Sequence, residues 1–226
     1  MANRYVLKFN KSGYAKYTSH LDLVRFFKRA FRKNGISLKY SQGFNPHPKM
    51  GFAQPLSLGY GSSCEYLEFE TEIFHEPDQM LKLLISTMPE GLELVWCKEL
   101  KADVKSLAAA SDNADYRVWI PVAMAQSDLD EAAAGYMSQE EIITLKRQKK
   151  DKKMVPVNIK NMIRSFEAKV KDDQIILNMN LDCGSISNCS PELVITSFCQ
   201  YAGIDVPRYK MEVERKSIKF VNNLQL

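Results

Sequence analysis

The chain has no CxxC pair among its five cysteines, no run approaching the roughly 18 apolar residues needed to span a bilayer, and no nucleotide-binding or hydrolase signature. The odd set Cys64, Cys97, Cys183, Cys189 and Cys199 argues against a disulfide framework and against a thiolate zinc site. Without a CxxxCxxC triad it also gives no basis for an iron–sulfur cluster of its own. Reduced, mostly buried thiols are expected. The GxxxxGK[ST], HExxH and GxSxG patterns are missing, as is a GxGxxG after a strand, which weakens ATPase, dinucleotide oxidoreductase, zincin and serine-hydrolase readings. The expectation is therefore no cofactor and no metal. Met1-Ala2-Asn3-Arg4-Tyr5 lacks the apolar region of a signal peptide and runs straight into strand-like alternation. A cytoplasmic protein with no membrane partner is expected.

Acid is scarce where cations are dense. Residues 1–50 carry eleven Lys/Arg against the single acid Asp22, a balance of +10, whereas residues 51–145 carry five against seventeen, or −12. Residues 146–171 return ten against two and residues 172–226 five against seven, so a formal net charge of +4 hides a strong segregation. Gathering cations into two segments makes a surface for an anionic partner, and phosphate is the commonest such anion. RNA is the expected partner, and a solvated basic face is the bland alternative.

With 226 residues, 45% apolar and 26% charged, the composition is that of a globular chain long enough for two domains of about 100 residues. Alternation and turn signals predict strands over 4–9, 36–40, 50–58, 64–74 and 92–100, with helices from Ser19 to about Asn34 and from Pro77 to about Met88. Residues 101–114 lose that alternation, which places the boundary between domains 1–105 and 115–226. The second half follows a similar order with one more extended segment: strands near 116–122, 141–147, 155–163, 166–170, 174–181 and 209–220, with helices capped at Ser127 or Asp128 and at Ser190. The expected fold is α+β, with tandem ferredoxin-like domains built on antiparallel sheets.

Two stretches carry the functional signal. In the first helix the apolar residues Leu23, Val24, Phe26, Phe27, Ala30 and Phe31 occupy one arc, and Arg25, Lys28, Arg29, Arg32 and Lys33 occupy the other. Residues 40–50, YSQGFNPHPKM, read as a proline-braced loop joining two strands and presenting Gln42, Phe44, Asn45, His47 and Lys49. Lys16 and Tyr17 lie just before the basic helix, and the run LKRQKKDKK (145–153) adds Lys149, Lys150, Lys152 and Lys153 to the candidate RNA contacts. Tyr14, Tyr17, Tyr40, Phe44 and Tyr60 are candidate stacking platforms, though several must be core. His20 and His47 are catalytic candidates: two imidazoles meeting across adjacent loop ends suit metal-independent phosphodiester chemistry. The alternative for each is a packing or turn role. His75, followed by Glu76-Pro77, reads as a residue that leads into a helix without special chemistry.

The segments RYVLKFNKSGYAKYTSHLDLVRFFKRAFRKNGISLKYSQGFNPHPKMGFAQPLSLG (4–59) and CEYLEFE (64–70) resemble the N-terminal signature of the bacterial radical-SAM-linked protein family. Members of that family extend, or stand beside, B12-binding radical-SAM proteins, so the resemblance implies a radical-SAM partner and not a reaction. Its SHLDL and SQGFNPHPKM motifs fall on Ser19, His20, Asp22, Gln42, Gly43, Asn45, Pro46, His47 and Pro48, with Gly51 where the pattern favours Ser. The expected function is an RNA-binding accessory module that presents RNA or a ribonucleoprotein to a separate radical-SAM enzyme. A metal-independent RNA-processing enzyme and a protein-interaction subunit are the alternatives.

Overall fold

The computed structural model describes residues 3–101, 104–148, 151–221, 224 and 226. The protein is α+β, and the chain divides into two compact units. Unit 1 takes residues up to Asp112 and again from Ser217 onward, and unit 2 takes Asn113–Lys216.

Unit 1 contains β1 (Asn3–Lys11), α1 (His20–Lys33), β2 (Met50–Phe52), β3 (Gly61–Thr71), α2 (Pro77–Ile85), β4 (Leu92–Glu99) and the four-residue α3 (Leu107–Ala110). β4 pairs with β1, β1 with β3, and β2 with β3, each antiparallel. The register sets Tyr5 opposite Phe69 and Leu7 opposite Leu67, while Phe52 lies opposite Leu67 on the other edge of β3. The sheet face so formed receives Phe27 and Phe31 of α1, and rings lock the layers together: Phe9–Phe27 at 5.2 Å, Phe9–Phe52 and Phe27–Phe52 at 5.9 Å, and Phe31–Phe69 at 4.6 Å between centroids.

Local chemistry explains most boundaries. Ser19 caps α1, and Glu76 caps α2 by accepting from the Gln79 amide at 2.9 Å, with Pro77 at the first helical position. Gly91 has φ +85°, and a Cβ there would stand 2.4 Å from the Ser12 carbonyl oxygen, so only glycine fits where the Ser12 amide donates to the Gly91 carbonyl. That contact fixes the 3-10 turn Gly13–Tyr17 that leads into α1.

Unit 2 contains β5 (Ser111–Ile120, from Asn113), α4 (Gln126–Ser138), β6 (Ile143–Arg147), β7 (Met154–Asn158), β8 (Ile163–Lys171), β9 (Gln174–Asp182), α5 (Pro191–Tyr201) and most of β10 (Glu212–Phe220). Its strand order is β10-β5-β9-β8, and β6 and β7 form a separate two-stranded ribbon. Alternate residues Ala114, Tyr116, Val118 and Ile120 of β5 and Ile175, Leu177, Met179 and Leu181 of β9 are buried on one face. Tyr136, Phe166 and Phe198 pack on one another with centroids 4.8–5.4 Å apart.

Several expectations shift. Residues 36–40 are not a strand; only the isolated bridges Leu38–Thr71 and Tyr40–Pro48 form there. The extended run expected over 50–58 shrinks to the three residues of β2, and the strand expected from residue 64 begins earlier, at Gly61, where β3 sets Ser62 opposite Lys11. The strand expected over 155–163 is broken where the Asn158 carboxamide oxygen accepts from the amides of Ile142 and Lys160, starting a 3-10 turn. The linker 101–114 holds α3 and the start of β5; Arg4 pairs with Glu68 at 2.6 Å and donates to the Val104 carbonyl, and the second Glu68 oxygen accepts from the Leu107 amide at 2.8 Å.

Phe27 is fully buried among four aromatic rings, whereas Phe44 is fully exposed. Urea unfolding should show Phe27→Ala losing about 3–5 kcal/mol and Phe44→Ala staying within about ±0.5 kcal/mol. Comparable losses at both positions would overturn this core assignment.

Candidate nucleic-acid interface

The site begins at the capped end of α1. The Asp22 amide donates to the Ser19 hydroxyl at 3.2 Å, and that hydroxyl donates to the Asp22 carboxylate at 2.7 Å. The Ser19 hydroxyl first, and then Arg25 and Arg29, hold the Asp22 carboxyl below its ordinary value. Arg25 bonds Asp22 at 3.1 Å, both side chains being more than half exposed, so the pair fixes orientation more than it adds stability. Beyond it Arg29, Arg32 and Lys33 are exposed and Lys28 is half-buried. The core demands of Leu23, Phe27, Ala30 and Phe31 are what turn these cations outward together.

Behind the C-terminal half of α1 lies an open groove of about 480 Å³, lined by Lys28, Arg29, Phe31, Arg32, Gly35, Ile36, Ser37, Leu38, Tyr40 and Glu72. Its second wall is the segment 36–40, held against the end of β3 where the Lys39 amide donates to the Glu70 carbonyl and the Glu72 amide to the Ser37 carbonyl. Tyr40 lines the groove and is 51% exposed.

The proline-rich loop is closed on itself. The Ser41 amide donates to the His47 carbonyl at 2.8 Å, the His47 amide donates to the Ser41 hydroxyl at 3.0 Å, and the Lys49 amide donates to the Lys39 carbonyl at 2.8 Å. Gly43 sits at φ +134°, a conformation open to glycine, and Gln42, Phe44, Asn45 and His47 stand exposed around the ring. Lys49 points elsewhere: its ammonium pairs with Glu70 at 3.1 Å, and Lys39 approaches the same carboxylate at 3.8 Å.

His20 and His47 occupy different settings. The His20 ring packs edge-on against Phe52 at 5.3 Å, and the ring contact ties α1 to β2. No hydrogen bond or ring contact joins the two imidazoles among the described residues. His75 bonds through its backbone to the Tyr5 hydroxyl, and its Nε2 is buried without a hydrogen-bond partner. Of the stacking candidates Tyr14, Tyr17, Tyr40 and Phe44 are exposed, and Tyr60 is core. Lys16 is half-buried beside Tyr17, and its carbonyl accepts from the Gly59 amide at 2.9 Å.

The second basic run belongs to unit 2, at the tip of the β6–β7 ribbon. Arg147, Lys152 and Lys153 are exposed there; Lys152 takes φ +59°, and Lys153 lies 3.9 Å from Asp151. Lys149 and Lys150 lie outside the described residues. The run holds six cations in nine residues.

Thiol chemistry is muted. All five cysteines are free and buried, and burial pushes the thiols of Cys97 and Cys189 up to about 12 and that of Cys199 up to about 11. No helix among the described residues is long and apolar enough to cross a membrane.

Sequence reasoning named Tyr40 but missed Glu72 and the groove that the segment 36–40 closes with α1. Taken as a strand, residues 36–40 gave no reason to face α1, and the contact exists only in the folded unit.

Residues 4–191 match the family described as "Uncharacterized protein conserved in bacteria (DUF2344)". No curated protein matches the chain in sequence. Among solved structures, a chain in the crystal structure of a Cbf5-Nop10-Gar1 complex is similar at 11% identity and a TM-score of 0.55, over 93% of this chain and 47% of that one. This chain thus spans about half the length of the solved chain it matches, and the likeness is one of fold. An unknown protein from Galdieria sulphuraria aligns over 95% of this chain and 98% of its own at 9% identity, but its TM-score of 0.28 carries no argument.

The side chains of Asn45 and His47 are exposed and make no hydrogen bond among the described residues. Thermal melting of Asn45→Ala and His47→Ala should therefore place both within about ±0.5 kcal/mol of the parent. A His47→Ala protein losing about 1–3 kcal/mol would instead mean that the imidazole satisfies a buried group.

Proposed function

We propose that the chain, which belongs to the bacterial family DUF2344, is an RNA-binding accessory module that presents an RNA or a ribonucleoprotein to a separate radical-SAM enzyme. The observation that carries the RNA reading is the outward row of Arg25, Lys28, Arg29, Arg32 and Lys33 on α1, beside a groove that also offers a half-exposed tyrosine ring. Cations for the phosphates and a π-face for a base are the two elements of single-strand binding. The exposed loop residues Gln42, Phe44, Asn45 and His47 extend that surface, with Lys16 and Tyr17 at the start of α1. The basic tip of the β6–β7 ribbon is a second phosphate contact, in unit 2. The radical-SAM partnership rests on the sequence resemblance of residues 4–59 and 64–70 alone, and a cytoplasmic setting agrees with five free thiols.

We read each unit as ferredoxin-like. The order β-α-β-β-α-β with strands β4-β1-β3-β2 in unit 1 is repeated by β10-β5-β9-β8 in unit 2, where the β6–β7 ribbon is an insertion after α4. The fold hosts many activities, so the weight of the functional reading falls on the charged helix and groove.

Binding of single-stranded RNA should fall steeply between about 50 and 200 mM salt, because each phosphate neutralised releases counterions. Changing Arg25, Arg29 and Arg32 together to Glu should abolish binding in a gel shift. Salt-independent affinity, or affinity retained in the triple variant, would overturn the phosphate reading. Capture of an acidic protein with no RNA affinity would favour a pure protein-interaction subunit.

A further inference from the structure

We infer that the groove behind α1 holds one nucleotide of the bound strand and prefers guanine, with Glu72 as the residue that sets the preference. The inference rests on the RNA reading and adds a base identity to it.

A volume of about 480 Å³ falls in the range of pockets that hold small ligands, and the groove is open to solvent. Lys28, Arg29 and Arg32 form one wall, with donors suited to phosphate oxygens. Tyr40 on the second wall offers a ring face that any base can use. Glu72 is the exception in this lining, since a carboxylate repels phosphate and accepts hydrogen bonds without donating any. Among the described residues it forms no ion pair with Lys28, Arg29 or Arg32, so its oxygens are not consumed by the opposite wall. Its main chain is anchored beside the groove: the Glu72 amide donates to the Ser37 carbonyl at 3.0 Å, and its carbonyl accepts from the Asn3 carboxamide at 3.4 Å, while the side chain is exposed.

A carboxylate's pair of acceptor oxygens selects the base edge with two adjacent donors. Guanine has N1–H beside its 2-amino group, which matches a carboxylate two bonds for two. Adenine and cytosine each set one amino group beside an acceptor nitrogen, and uracil sets one N–H between two carbonyls. Only guanine meets Glu72 without placing an acceptor against it.

The test measures binding of the full chain, by fluorescence anisotropy at low salt, to 12-nucleotide single strands that differ at one central position. The parent should bind the guanine strand about tenfold more tightly than the adenine strand, the size expected of one two-bond base contact. An inosine strand, which lacks the 2-amino group, should fall between them. Glu72→Gln should bring guanine and adenine to within about twofold while leaving the melting temperature unchanged, and Tyr40→Ala should weaken all strands alike. Equal binding of guanine and adenine strands by the parent, or a preference unchanged in Glu72→Gln, would overturn the guanine assignment and leave the RNA reading standing. No binding to any strand at low salt would overturn both.

Discussion

The contact on which unit 1 turns is the seat of Phe52. Its ring is buried against Phe9 and Phe27 and receives the edge of His20, so the first residue of α1, the middle of that helix, β1 and the exit of the proline-rich loop meet at one side chain. The SHLDL motif is thereby tied through His20 to β2, the strand that begins at the last residue of SQGFNPHPKM. Dispersion and burial hold the loop's base while its rim stays wet. A loop anchored this way leaves Gln42, Asn45 and His47 exposed, while its Ser41 hydroxyl helps to close it.

Legibility in the sequence followed the range of the interactions. α1 could be read because everything that starts it lies within four residues: Ser19 as cap, Asp22 answering it, and the apolar arc beginning at Leu23. Pro77 and Pro191 marked their helix starts for the same reason. Elements that depend on distant partners were misjudged. Gly61-Ser62-Ser63 has the composition of a turn but is strand, because Ser62 faces Lys11 across β1, and the Lys11 ammonium reaches the Thr18 carbonyl at 2.9 Å instead of solvent. Ile36, Leu38 and Tyr40 alternate as a strand would, yet only single bridges form, since the chain there leans on the last residues of β3. The cations of the candidate site were legible one by one; the groove was not, because its second wall is tertiary.

Charge segregation and core packing are two views of one pattern. The arc of α1 that satisfies Phe9, Phe52 and Phe69 leaves a fixed complement of positions facing water, and five of those are Lys or Arg. Of these, Arg25 pairs with Asp22 at 3.1 Å in the first turns of the helix. Elsewhere cations are paired with acids: Arg4 with Glu68, Lys49 with Glu70, Arg164 with Asp182 at 2.7 Å and Arg208 with Glu192 at 2.6 Å.

The residues from Ser217 onward belong to unit 1, where Phe220 packs on Tyr66 at 5.4 Å. Unit 1 is therefore discontinuous, and a growing chain completes it only after Asn113–Lys216 has been made. About a hundred residues at about 5–20 residues per second is a delay of roughly 5–20 s. During that interval Tyr66 lacks its final neighbour although the rest of unit 1 has long emerged. The usual order, in which the first domain of a chain is finished first, is reversed here: unit 2 receives its last residue before unit 1 does.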